Sequence, residues 1–438
     1  MFKMGIARAT ALVATNMIGS GVLLAPALLA PYGNMSLVGW ILTTIGALAL
    51  ALVFSRLSIW ISNSGGPYTY AKHVFGDFVG FQMAWGYWIS CWCGSVSLLL
   101  GTIQYISVFW PEFAANQTYS MAFGLSMIWL FTYLNTQGLK ESTLAGIIIL
   151  LIKVVPLILI ACFGIFYVDF SSIFSLENSA GISSLGEMSG VILWAFIGLE
   201  SATIPYDNVK NPKKIIPAAT ISGVLITAAV YILGSIVISG VLSHEELISS
   251  QAPYVDAAQK IFGNGGYLFM LVTGIIGLIG SLNGWILIQG QVPYSAAKEN
   301  LFPKFFLKKN KNDIPVGVVF GSVLMTIVFM LCFEKTLTTH LQTLIEVSVL
   351  SMLLPYFYSV VAYSYIAFKK KNELSDIEKF CVPLISIVAF IYSFLAICGA
   401  GKEIIFICFV AFLLSVPFYL GVKHSEKEWM LPINHREG

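Results

Sequence analysis

A chain of 438 residues that is 57% hydrophobic and only 11% charged, with a mean hydropathy of +0.83, is too apolar for a soluble domain, whose apolar share is about 45–50%. Its formal net charge of +2 points to no nucleic-acid partner. The composition instead calls for a lipid bilayer as solvent.

Apolar stretches near the roughly 20 residues that cross a bilayer are predicted over 5–29, 37–57, 79–108, 121–137, 143–168, 186–206, 217–242, 264–291, 315–333, 340–367, 380–399 and 402–422. Backbone N–H and C=O groups in lipid must pair internally, and unbroken runs of this length exclude a barrel. The predicted class is an all-α polytopic membrane protein with twelve transmembrane helices. It divides into a single transmembrane domain over 1–422 and a tail over 423–438. The first stretch lacks a small-residue cleavage site and carries Asn16, Gly19, Ser20 and Gly21 at its middle, so it reads as a retained helix.

Of the 24 basic residues, Lys153 falls inside a stretch, and Lys260, Lys335 and Lys402 fall in one set of alternate loops; the rest lie on the side of the N-terminus. The positive-inside rule then places both termini in the cytoplasm. Compact loops and no targeting segment point to a bacterial inner membrane. The seven cysteines lie in or beside apolar stretches. Cys91 and Cys93, two apart on a helix, face about 200° apart, a poor metal pair. No metal, cofactor or enzymatic motif is expected: paired carboxylates with a histidine, a phosphate-binding glycine loop and a nucleophile motif are all missing.

Two stretches are interrupted at similar places, by Asn16-Met17-Ile18-Gly19-Ser20-Gly21 in the first and Phe196-Ile197-Gly198-Leu199-Glu200-Ser201 in the sixth. Matching breaks five helices apart point to a transporter of inverted five-helix repeats, here about 5–168 and 186–367, with its solute site where the breaks meet. Exposed N–H groups at a half-helix N-terminus suit a carboxylate, and free carbonyls suit an ammonium. Gly19 and Gly21 also fit a plain helix-packing role.

The Asn16-x-x-Gly19-Ser20-Gly21 stretch with Pro26, Ser64-Gly65-Gly66-Pro67-Tyr68, Tyr87-Trp88-Ile89-Ser90-Cys91-Trp92, Trp194 to Ser201, Asn211-Pro212-Lys213-Lys214 and Gly284-Trp285 follow one another in a familiar order. In these residues the chain resembles the amino acid–polyamine–organocation superfamily, and within it the basic amino-acid antiporters, most of all the bacterial arginine/agmatine exchangers. The resemblance implies ten core helices in two inverted repeats, two peripheral helices over about 380–422, alternating access and a possible homodimer. It also implies that Ser20 and the Gly21 N–H hold a substrate carboxylate, while carbonyls of Met17, Trp194 and Ile197 meet its ammonium. A cationic side chain would lie against Trp194, a contact worth about 0.5–2 kcal/mol. Asn16, Cys91 and Ser348 would line the pocket, and Tyr87, Trp285 and Tyr70 would gate it. Ser95 stands where the arginine/agmatine exchangers carry an asparagine, and its short hydroxyl offers no amide fork.

Ionisable groups inside a bilayer are functional candidates by default. Lys153 lies in the fifth stretch, where sodium-coupled relatives of this fold place a cation near the first helix. It reads either as a coupling group or as a tether to carbonyls of the broken helix. Glu200 matches the acidic residue that the antiporters associate with pH response and transport, and pairing alone is its other reading. Glu346 has either an intramembrane role or a place in the outer vestibule. Asp207 with Lys210, Lys213 and Lys214 forms either an inner gate or a solvated cluster. The expected function is exchange of a basic amino acid such as arginine for its amine such as agmatine. The alternatives are a proton-coupled symporter and, in a different class, a channel.

Overall fold

The computed structural model describes residues 3–170, 181, 184–332 and 337–430, giving the backbone alone for 114, 139–147, 337–340 and 425–430. Lys335 and residues 431–438 of the expected tail lie outside the described residues.

In chain order the helices are α1 (Ile6–Met17), α2 (Ser20–Leu29), α3 (Met35–Trp60), α4 (Pro67–Phe75), α5 (Asp77–Phe109), α6 (Pro111–Ala115), α7 (Gln117–Gln137) and α8 (Leu139–Gly164). There follow α9 (Leu185–Phe196), α10 (Pro212–Val241), α11 (His244–Ser249), α12 (Pro253–Lys298), α13 (Gly317–Leu331), α14 (Leu337–Lys369), α15 (Asp376–Gly399) and α16 (Lys402–Met430). The chain is an all-helical, multi-pass membrane protein. Among the described residues nine helical segments are long and apolar enough to cross a bilayer, while α9 and α13 are apolar but shorter. Eleven of the twelve predicted stretches fall on these helices; the stretch 121–137 falls on α7, which is not among them. The last helix continues to Met430, beyond the predicted end at 422.

Local chemistry sets most of the ends. Gly66 (φ 67°) and Pro67 open α4, the glycine taking the left-handed backbone and the proline the first helical position. Gly76 (φ 85°) separates α4 from α5. Gly263 (φ 67°) kinks α12 one residue before the predicted span at 264. Ser243 and Ser375 open α11 and α15 with reciprocal capping boxes to Glu246 and Glu378.

The long helix α5 packs against α12 and α14, while α10 packs against α3 and α1. Tyr68, Tyr87, Tyr231 and Tyr356 are among the large side chains fully buried between these helices. The outer surface is apolar: Phe368, Phe380, Phe406 and Leu414 stand exposed on α14, α15 and α16, where water would penalise them and lipid accepts them.

One end of the bundle is laced by ion pairs. Lys72 meets Glu299 at 2.7 Å, Lys423 meets Asp77 at 2.7 Å, Lys298 meets Asp207 at 3.8 Å, and Arg56 pairs with Glu378. The Gly65 N–H also donates to the Ile204 carbonyl at 3.0 Å, joining the α3–α4 turn to the segment after α9. At the opposite end, Lys260 donates to Glu246 at 2.6 Å. That hydrogen bond holds the Glu246 carboxyl down at about 2.

Candidate functional site

The first apolar stretch is two helices. α1 stops at Met17, Ile18 is extended (φ −75°, ψ 92°), and α2 starts after Gly19. α9 likewise stops at Phe196, where Ile197 is extended (φ −61°, ψ 132°) and Gly198 takes φ 109°. The two breaks touch. A Cβ on Gly198 would lie 3.0 Å from the carbonyl carbon and the Cβ of Asn16, and one on Gly21 would lie 2.8 Å from the Ala195 Cα. Glycine is needed at Gly198 both for its backbone conformation and for this close approach.

A helix that ends mid-bundle leaves carbonyls and N–H groups without intrahelical partners. At the end of α1 the Lys153 ammonium supplies three donors: it donates to the carbonyls of Thr15 (2.9 Å) and Ile18 (2.7 Å) and to Ser281 Oγ (2.5 Å). Ser281 Oγ in turn donates to the Ile18 carbonyl at 3.0 Å. Trp285 Nε1 donates to the Asn16 carbonyl at 3.3 Å, and Asn16 Nδ2 donates to Ser201 Oγ at 3.0 Å, linking break to break. Two polar atoms at this junction, Asn16 Oδ1 and Ser20 Oγ, are buried with no hydrogen-bond partner.

Around the junction lies a hollow of about 30 Å³. Of the residues singled out from sequence, Asn16, Met17, Ser20, Gly21, Trp194, Ile197, Trp285 and Ser348 surround it, and all eight are buried. Cys91 and Ser95 do not. α5 presents Ser90, Gly94 and Leu98 to the hollow instead, an i, i+4, i+8 row, so Cys91 and Ser95 sit one residue, about 100°, round the helix. Ser95 Oγ is also committed to the Cys91 carbonyl at 2.7 Å. The i, i+4 periodicity of α5 groups Ser90 with Gly94 and Leu98, and Cys91 with Ser95, but does not tell which row faces inward. Ser90 and Ser348 place their hydroxyls 3.0 Å apart, and Gly94 leaves room for them, since a Cβ there would stand 2.9 Å from Ser348 Oγ.

The expected gating residues separate. Trp285 is part of the wall of the hollow. Tyr87 lies beyond it, fully buried, and donates to the buried Glu200 carboxylate; Tyr356 donates to the other oxygen of the same carboxylate. Tyr356 was missed in the sequence because nothing near it marks it out from other core tyrosines. Tyr70 is buried in α4 with its ring 6.3 Å from that of Phe54 and is not part of the wall. Glu346 is half-buried and accepts from Gln342 at 2.9 Å, apart from the hollow. Asp207 pairs with Lys298 rather than with Lys210, Lys213 or Lys214. Among the described residues no group of three or more His, Cys, Asp or Glu is placed to hold a metal ion.

The family model for amino acid permeases matches residues 4–432. A cadaverine/lysine antiporter of Escherichia coli (strain K12) is 30% identical, over 97% of this chain and 96% of its own. A putrescine transporter, PotE, of Haemophilus influenzae is 29% identical over 92% of each chain. Among solved structures, a manganese transporter of Eremococcus coleocola superposes with a TM-score of 0.60 over 97% of this chain and 96% of its own, at 10% identity, a likeness of fold alone. A buried site between two broken helices and a family match along almost the whole chain lead to one assignment: the protein belongs to the amino acid permease family, among its basic amino acid and polyamine antiporters, and is a membrane transporter rather than an enzyme.

Proposed function

We propose that the chain is an antiporter that exchanges a cationic amino acid for its decarboxylated amine by alternating access. The observation that carries this reading is the meeting of α1/α2 with the end of α9 around buried, unpartnered Ser20 Oγ and Asn16 Oδ1. A buried hydroxyl without a partner is costly. Beside the N-terminus of the ten-residue α2 it is suited to a carboxylate, because the free N–H groups and the helix dipole favour negative charge. Asn16 Oδ1 and the carbonyls of Met17, Trp194 and Ile197 suit the α-ammonium, and the indole of Trp194 suits the side-chain cation.

Substrates with a primary amine, such as lysine or ornithine with their diamines, are favoured over arginine and agmatine. Ser95 is not in the wall of the hollow and donates to the Cys91 carbonyl, whereas the Ser90–Ser348 hydroxyl pair is in the wall. Hydroxyl oxygens suit a compact ammonium, whereas a guanidinium gains most from a planar, bidentate partner. By their names the cadaverine/lysine and putrescine relatives agree with this preference, whereas a putative arginine/ornithine antiporter of Bacillus subtilis (strain 168), also 30% identical, spans both kinds of substrate.

In this reading the chain forms twelve spans, with inverted repeats over about 5–168 and 186–367 and peripheral helices over 380–422, in a bacterial inner membrane with both termini cytoplasmic. The two broken helices lie five spans apart, which supports the repeat. Lys153 holds the end of α1 where a coupling cation would otherwise sit. Trp285 closes over the solute, and Glu200 with Tyr87 and Tyr356 forms a latch beneath the second break. A hollow of about 30 Å³ has room for about two or three waters, so the walls must part to admit a lysine-sized solute.

Counterflow in proteoliposomes tests the proposal. Labelled lysine should enter rapidly when unlabelled lysine or cadaverine is inside and hardly at all when the lumen is empty. Accumulation in empty vesicles under a pH gradient would instead make the protein a symporter, and single-channel currents in a planar bilayer would make it a channel.

A further inference from the structure

The segment that joins α12 to α13 carries Lys304-Phe305-Phe306-Leu307-Lys308-Lys309-Asn310-Lys311, four lysines in eight residues with no acidic one among them. It is held in one shape. The Val316 N–H donates to the Lys308 carbonyl at 3.0 Å, and the Asn310 N–H donates to the Ile314 carbonyl at 2.8 Å, closing a tight loop. Asn310 Nδ2 and Asn312 Nδ2 donate to the Thr136 carbonyl at 2.8 Å and 3.0 Å, fastening that loop to the end of α7. Phe306 is its buried anchor, with its ring 5.6 Å from that of Trp88 and 5.4 Å from that of Phe320.

The residues on either side of that anchor face outward. Phe305 is 47% exposed and Leu307 38% exposed, and the Phe305 ring lies 6.3 Å from that of Phe320. Phe320 in turn begins an exposed apolar stripe that runs along α13 through Val323, Ile327 and Leu331, at the spacing of one helix face. With 15 residues, α13 is about 22 Å long, shorter than the roughly 30 Å hydrocarbon layer. Phe305 and Leu307 lengthen the stripe at the loop end. Around them Lys304, Lys308 and Lys311 stand exposed, with the Lys308 ammonium 5.6 Å from the Phe305 ring. Lys309, by contrast, is taken by Asp313 at 2.8 Å.

We propose that this surface binds an anionic phospholipid, with an acyl chain along the α13 stripe and the phosphate among Lys304, Lys308 and Lys311. Lysine stems lie on the apolar edge while their ammonium groups reach the level of the headgroups, so the two halves of the surface match the two halves of the lipid. A zwitterionic headgroup offers the same phosphate but sets its own cation against the lysines. Each lysine beside an anionic lipid surface is worth about fivefold in affinity. The proposal needs only that α13 lies in the bilayer, and it stands whether the chain exchanges, symports or conducts.

Native mass spectrometry of the purified full-length protein measures the affinity of the first bound lipid. Palmitoyl-oleoyl phosphatidylglycerol is the probe, and phosphatidylcholine with the same chains is the reference. The wild type should prefer phosphatidylglycerol. K304Q/K308Q/K311Q should bind it about 25- to 150-fold more weakly and lose the preference. K369Q/K370Q/K371Q, which removes the same charge from another loop at the same end of the bundle, should keep it within about twofold. Glycerophosphoglycerol, the same headgroup without chains, should not displace the lipid when added in excess. The proposal is overturned by a wild type without preference, by a preference that survives in K304Q/K308Q/K311Q, or by an equal loss in both triple variants, which would spread the attraction over the whole basic face. Displacement by glycerophosphoglycerol also overturns it, by making the lysines a site for soluble anions.

Discussion

Replacing Lys153 by methionine removes the ammonium and leaves an unbranched side chain one atom shorter. The ammonium satisfies the carbonyls of Thr15 and Ile18 and the Ser281 hydroxyl at 2.5–2.9 Å. In K153M, Ser281 Oγ is left to serve both carbonyls, at 3.0 Å and 3.4 Å, with one hydroxyl proton for two acceptors. An under-served buried polar group costs about 1–3 kcal/mol. Charged to the closed arrangement of α1, α8 and α12, that sum shifts the balance between working shapes about 5- to 150-fold. Loss of the buried cation also removes its own desolvation cost, so global stability should fall less than exchange. The assay is counterflow of labelled lysine in proteoliposomes, with a melting curve and gel filtration on the same preparation. A variant that is folded and exchanges at the wild-type rate would show that the tether has no part in transport.

Three further outcomes follow from the same geometry. Tyr87 and Tyr356 both donate to Glu200, so Y87F and Y356F should couple in a double-mutant cycle of exchange rates by about 0.5–3 kcal/mol; strict additivity would mean that they do not act through one carboxylate. G198A places a Cβ 3.0 Å from Asn16 on a backbone with φ 109° and should lower stability by about 1–3 kcal/mol, read as a fall in melting temperature; no change would show that the second break relaxes freely. W194A should weaken apparent lysine affinity about 2- to 30-fold through loss of the cation–π contact and affect norleucine, which lacks the distal amine, far less; an equal loss for both solutes would make Trp194 a packing residue.

How legible the fold was in the sequence can be judged from these same residues. Lipid leaves helices as the only open-ended solution, so hydropathy alone located helices in all twelve stretches. The breaks at Gly19 and Gly198 were legible because glycine beside small polar residues recurs at matching places five stretches apart. Which face of a helix meets the solute was harder to read. Ser90 and Cys91 are adjacent, and only the direction in which α5 packs decides that Ser90, Gly94 and Leu98 face inward. Polar partners distant in sequence were harder still: Ser281 lies 128 residues from Lys153, and Tyr356 lies 156 from Glu200. Nothing local in the chain announces such pairs. Asp207 went to Lys298 rather than to its sequence neighbours because α12 ends beside it.

The claim on which all of this rests is that the junction of the broken helices grips a solute's carboxylate through Ser20. The most direct measurement compares S20A with wild type for binding of lysine and of cadaverine, which differ by that carboxylate. Loss of a hydrogen bond to a charged group, about 1.5–3 kcal/mol, should weaken lysine roughly 10- to 150-fold and leave cadaverine nearly unchanged. Equal weakening of both ligands, or of neither, would contradict the account.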